Sequence, residues 1–97
     1  MGEASLRHAP MMRPELAVLR ARIDALDAEL VELLARRAAT AGEAMDLKAT
    51  MGQPAFDAAR EAEMTATLRQ KARALQLDED RVEKVFRAVL ELSRAPR

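Results

Sequence analysis

One stretch constrains this chain more than any other. From Pro14 to about Thr50 there is no further proline and a single glycine, Gly42, while Leu16, Leu19, Ile23, Leu26, Leu30 and Leu33 recur in steps of three and four. That spacing lays one apolar seam along a helix, the a and d positions of a heptad. Pro14 suits the first turn, where its missing N–H breaks no hydrogen bond. At 1.5 Å per residue a helix of about 37 residues is roughly 55 Å long. A compact globule of this chain length has a diameter of roughly 30–35 Å. The seam therefore outruns what the rest of the chain can cover. A second copy on a two-fold axis is the simplest cover, so the spacing predicts an obligate homodimer.

The remainder reads as two shorter helices. Met51-Gly52-Gln53-Pro54 breaks the first helix. Asp57 is placed to cap a second, whose stripe is Met64, Leu68, Ala72 and Leu75. Leu77-Asp78 marks the next boundary, with Asp78 as cap, and Val82, Val85, Phe86, Val89, Leu90 and Ser93 lie on or near one face of a third helix that Pro96 should end. The expected fold is all-α: one long helix and two shorter ones, interlocked in a two-fold homodimer. Residues 1–13, without periodicity, are expected to be a tail, and 14–97 one helical domain.

Composition narrows the function. The chain has 97 residues, with two aromatic side chains and three glycines, which favours helix over strand. It has no cysteine, which excludes disulfides and thiolate chemistry. The single histidine, His8, falls in the expected tail, so a metal site built on histidine is not expected. Sixteen basic residues balance sixteen acidic ones, without the basic excess of a general nucleic-acid or membrane-surface binder. No apolar run reaches the roughly 18 residues of a membrane span, and no secretion signal is visible, so a cytoplasmic protein is expected.

Against that background, several polar residues stand where core residues belong. The next seam position after Leu33 is Arg37, and Lys48, 11 residues further on, lies about 20° from it around the helix. Arg20 flanks the same stripe but points about 100° away from Arg37, so one straight helix cannot aim both at one spot. Two helices of a symmetric dimer can. Glu61 lies about 20° from Leu68 on the second helix, and Ser93 about 20° from Phe86 on the third. A purely structural reading pairs Arg37 with Glu61 and lets Lys48 and Arg20 reach solvent. The functional reading holds the cations open for an anionic ligand, since unpaired buried charges cost several kcal/mol each. Arg22, Arg36, Arg69, Arg73, Arg81 and Arg87 read as ordinary surface charge. The six methionines read as core filling or tail rather than ligand surface.

The pattern Leu19-Arg20, Ile23, Leu26-Asp27, Leu30, Leu33-Leu34, Arg37, Lys48, Asp57, Arg60-Glu61 and Ser93 resembles the all-helical chorismate mutases, over about Pro14 to Ser93. The resemblance implies an isomerase of aromatic amino acid biosynthesis, the shikimate pathway, that converts chorismate to prephenate by a Claisen rearrangement. It implies two shared active sites in a homodimer and a small dianionic substrate. Arg20 from the other subunit and Arg37 would bind the two carboxylates, Lys48 would donate to the ether oxygen, and Ser93 would assist a carboxylate. Glu61, with Asp57 and the helix start at Arg60, would hold the ring hydroxyl. Such a reaction needs no nucleophile, cofactor or metal. It needs a compact substrate geometry and a donor for the negative charge growing on the ether oxygen.

The C-terminal end departs from the family. A Gln or Glu that often follows the serine by four residues is here Arg97, after Pro96; Arg94 stands where the family carries an apolar residue, and Ala44 replaces a larger one. Three readings follow. Lys48 with Arg94 or Arg97 serves the ether oxygen; an activating partner enzyme orders the C-terminus; or the substrate is a relative of chorismate. Two relatives fit: 4-amino-4-deoxychorismate, rearranged by dedicated mutases, and isochorismate, cleaved by pyruvate lyases on this fold. Asp57 and Glu61 suit a hydroxyl or an ammonium alike. A silent helical dimerisation or regulatory module is the non-enzyme alternative.

Overall fold

The computed structural model describes residues 12–94. They form three helices: α1 (Met12–Thr50), α2 (Ala58–Ala74) and α3 (Glu79–Arg94). There is no strand among the described residues. Helix α1 starts two residues before the expected Pro14. The first turn of a helix has no acceptors for its N–H groups, so a proline there does not stop the helix from beginning upstream. Met12 and Arg13 of the expected tail are thus helical, and residues 1–11 lie outside the described residues. No described helix is long and apolar enough to cross a membrane.

The chain divides into two compact units at Leu33/Leu34. In the first, the seam of α1 is uncovered: Leu16, Leu19, Ile23, Leu26, Leu30 and Leu33 each keep 44–58% of their surface exposed.

The second unit packs the rest of α1 with α2 and α3. Helix α1 contributes Leu34, Arg37, Ala38 and Ala41, all half-buried, and the buried Gly42. Helix α2 turns Glu61, Met64, Thr65, Leu68 and Ala72 inward; α3 turns in Val82, Phe86, Val89, Leu90 and Ser93. Ala72 is the one fully buried apolar residue among those described. Two expected stripe residues, Leu75 and Val85, are exposed. Leu75 falls on the cap beyond the last turn of α2. Val85 lies about 100° from Phe86 around α3.

The caps are where the sequence placed them. Asp57 has extended backbone (φ −128°, ψ 99°), and its Oδ1 accepts from the Arg60 N–H at 3.0 Å. Asp78 Oδ1 accepts from the Arg81 N–H at 2.9 Å. Each satisfies an orphan donor of a first turn and sets negative charge at the positive end of the helix dipole. At the other end, α1 and α2 close in the same way. After α1, Gln53 N–H donates to Lys48 O (2.9 Å) and Gly52 N–H to Ala49 O (3.2 Å), with Gly52 at φ 70°. After α2, Leu77 N–H donates to Ala72 O (2.8 Å) and Gln76 N–H to Arg73 O (3.1 Å), with Gln76 at φ 60°. Both are Schellman closures, whose left-handed residue is ordinarily glycine. The second uses glutamine, whose Cβ crowds the following carbonyl there. Gln76→Gly is therefore expected to stabilise the fold by about 0.5–1 kcal/mol, raising the thermal midpoint by a few degrees. A lower midpoint would refute this account of the turn.

Charges join α2 to α3. Arg69 reaches Asp80 (2.9 Å) and Glu83 (2.8 Å), and Arg73 grips Glu79 through two bonds of 2.9 and 3.1 Å. Bonding to Arg73 holds the Glu79 carboxyl below its ordinary value of 4.5. Asp80 and Glu83 in turn raise the Arg69 guanidinium. Arg69 and Arg73, expected to be incidental surface charge, instead tie the hairpin together. Their partners lie across a turn, out of reach of spacing arguments within one helix.

Candidate active site

Lys48 belongs to the last turn of α1, and the Schellman closure that follows folds the chain back over it. That return brings the Ala55 carbonyl within 3.3 Å of Lys48 Nζ. Asp57 then starts α2, which sets Arg60 and Glu61 in its first turn. Together with Arg37 on α1 and Ser93 and Arg94 on α3, these residues line one cavity of about 720 Å³, all of it within the second unit. Seven of the nine residues expected to bind substrate thus meet around one space: Arg37, Lys48, Asp57, Arg60, Glu61, Ser93 and Arg94. Arg20 lies on the other unit and is not among the lining residues. Arg97 lies outside the described residues.

Arg37 is held by neutral groups. Its Nη1 donates to Ser93 Oγ at 2.7 Å, and its Nη2 lies 3.6 Å from Met64 Sδ. The Ser93 hydroxyl proton goes to the Val89 carbonyl one turn back, at 3.0 Å. A lone pair of Ser93 thus faces Arg37, and the serine orients the guanidinium without neutralising it. Neither Arg37 nor Lys48 forms an ion pair among the described residues. The purely structural pairing of Arg37 with Glu61 is not formed. Glu61 pairs with Arg94 of α3 instead. Arg94 is consequently engaged by a carboxylate rather than standing free beside Lys48.

The walls between these groups are apolar: Ala41, Ala44 and Met45 from α1, Phe56 from the loop, Met64 from α2 and Leu90 from α3. Two methionines expected to be core or tail, Met45 and Met64, therefore face the cavity. Met45 was findable, since it lies three residues before Lys48 and so shares its face. Phe56 and the Ala55 carbonyl were not, because a loop has no periodicity to read.

The lining carries four cations, Arg37, Lys48, Arg60 and Arg94, against two carboxylates, Asp57 and Glu61. One carboxylate caps a helix and the other is paired with Arg94, so the excess is positive and concentrated on α1. Arginine matches a carboxylate with parallel hydrogen bonds, and lysine offers a compact, movable charge. An all-helical pocket with apolar walls and uncompensated cations is of the class that binds a small organic polyanion.

Residues 19–96 match the family described as chorismate mutase type II, and the chain belongs to that family. It is also similar to the T-protein of Enterobacter agglomerans, 39% identical over 79 residues, a match covering 81% of this chain and 21% of that protein. The chain thus spans about a fifth of the length of that relative. No solved structure matches it.

Proposed function

We propose that the cavity converts chorismate to prephenate and that it is completed by Arg20 of a second copy of the chain. The observation that carries the reading is the pair of unneutralised cations, Arg37 held by Ser93 and Lys48 held at the end of α1, facing apolar walls. In the rearrangement the ether C–O bond breaks as a new C–C bond forms in one cyclic step. Arg37 binds one carboxylate. Lys48 turns its ammonium from the Ala55 carbonyl to the ether oxygen, where negative charge grows. The walls hold the substrate in a compact, chair-like shape, which removes entropy from the barrier. Lys48 donates where charge develops rather than where it already resides, so its effect falls on the transition state.

The dimer is part of the proposal. The uncovered seam of α1 supports it, as does the scarcity of fully buried side chains in one chain. Burying such leucines contributes about 1.5–3 kcal/mol each, which a single copy forgoes. In a two-fold pair the partner's seam covers this one, and each long helix carries an Arg20 to the other copy's cavity.

Incubation with chorismate, isochorismate and 4-amino-4-deoxychorismate in separate reactions, with product identification, tests the reading. Prephenate from chorismate is expected as the fastest conversion. Salicylate and pyruvate from isochorismate with no prephenate would overturn it in favour of a lyase. No turnover of any of the three would favour a silent module.

A further inference from the structure

Helix α3 places Arg94 in the cavity wall, and its guanidinium hydrogen-bonds the Glu61 carboxylate across from α2. We infer that Arg94 is a specificity-determining residue, making the Glu61 end of the cavity accept a neutral hydroxyl and reject an ammonium. The inference rests on the proposed function and adds to it the basis of substrate choice.

The argument is one of charge. Arg37 binds a carboxylate of the dianion, Lys48 faces its ether oxygen, and Glu61 repels the carboxylates, so the Glu61 end faces the part of the substrate that carries no negative charge. A carboxylate alone welcomes any hydrogen-bond donor there, and a cationic donor most. Without Arg94, Glu61 would favour an ammonium over a hydroxyl. With Arg94 bonded to it, its charge is already compensated, and an incoming ammonium meets a guanidinium at the same oxygens. A hydroxyl still finds an acceptor, because a carboxylate has about four lone-pair positions and Arg94 leaves some of them free. The surplus of cations around the cavity adds to the bias: a 4-ammonium substrate has one negative charge fewer in sum than its 4-hydroxy counterpart. Selection here works by a repulsive element against the wrong ligand as much as by attraction for the right one.

Arg94 acts through Glu61, so it is a positioning residue, and the informative quantity is a ratio. The test measures kcat/KM for chorismate and for 4-amino-4-deoxychorismate with the wild type, Arg94→Leu and Arg94→Lys. The wild type is expected to prefer chorismate. Arg94→Leu should shift the ratio toward the amino substrate by about tenfold or more, the scale of removing one like charge from beside a cation in a partly screened site. Arg94→Lys, which keeps the charge, should hold the ratio close to that of the wild type. A general packing defect would slow both substrates together and leave the ratio alone. An unchanged ratio in Arg94→Leu with chorismate still converted would overturn the inference and leave the proposed function standing. Failure of the wild type to convert chorismate would overturn both. Should Arg94→Leu fold poorly, Arg94→Gln, polar and neutral, carries the same expectation.

Discussion

Lys48→Ala is expected to lower kcat for chorismate by about 10²–10³-fold, the usual consequence of removing one donor aimed at developing charge, while KM moves little. Arg37→Ala should be as damaging in kcat/KM but mainly through a raised KM, since a carboxylate is bound in the ground state and in the transition state alike. The two differ because the ether oxygen becomes strongly negative only as its bond breaks. Neither change should unfold the protein. Lys48 surrenders one exposed hydrogen bond to Ala55, and Arg37 one to Ser93 and a weak one to Met64 Sδ. Steady-state assays of chorismate loss, run beside circular dichroism, check both points. Full activity in either variant would remove that residue from the reacting centre. Full activity in both would move the site elsewhere.

The long helix made these two residues legible. A strict three-four spacing from Leu16 to Leu33 specifies a direction in space, and any charge that later falls on that direction is conspicuous. Arg37 and Lys48 both did. Asp57 and Asp78 were equally plain, because a capping carboxylate before an apolar stripe has one main physical use. What periodicity within a helix cannot report is which residue lies opposite on another helix. The Arg94–Glu61 pair, the Arg69–Glu83 bond and the Arg37–Ser93 bond all cross between helices, and their partners are 14 to 56 residues apart in sequence. The purely structural alternative, Glu61 paired with Arg37, fits the charges but not the geometry: Arg37 bonds to Ser93, and Glu61 faces Arg94. Val85 shows the same limit in reverse. It looked like a stripe residue by hydrophobicity, but its angle turns it outward, while Glu83 lies half-buried between Arg69 and Arg87.

Arg20 offers the second large effect, and it reports on assembly as well as chemistry. In any straight helix a residue 17 positions before Arg37 points about 100° away from it and lies about 25 Å along the axis. An Arg20 that binds the same small substrate as Arg37 must therefore come from another copy. Arg20→Ala and Lys48→Ala are each expected to be nearly inactive as pure proteins. In a mixed dimer, the site built on the Arg20→Ala chain keeps its own Lys48 and receives the partner subunit's intact Arg20. The other site loses both groups. Random assembly makes half of all dimers mixed, and one site in each works, so co-refolding equal amounts should restore about a quarter of wild-type activity. Native mass spectrometry on the same mixture checks that exchange took place. Mixed dimers that stay inactive would show that Arg20 does not complete the partner's site. A fraction of activity that rises when one variant is added in excess, rather than peaking at equal amounts, would point to residual activity of that variant. Complementation has no explanation in which each chain works alone, because neither variant contains a complete set of cations.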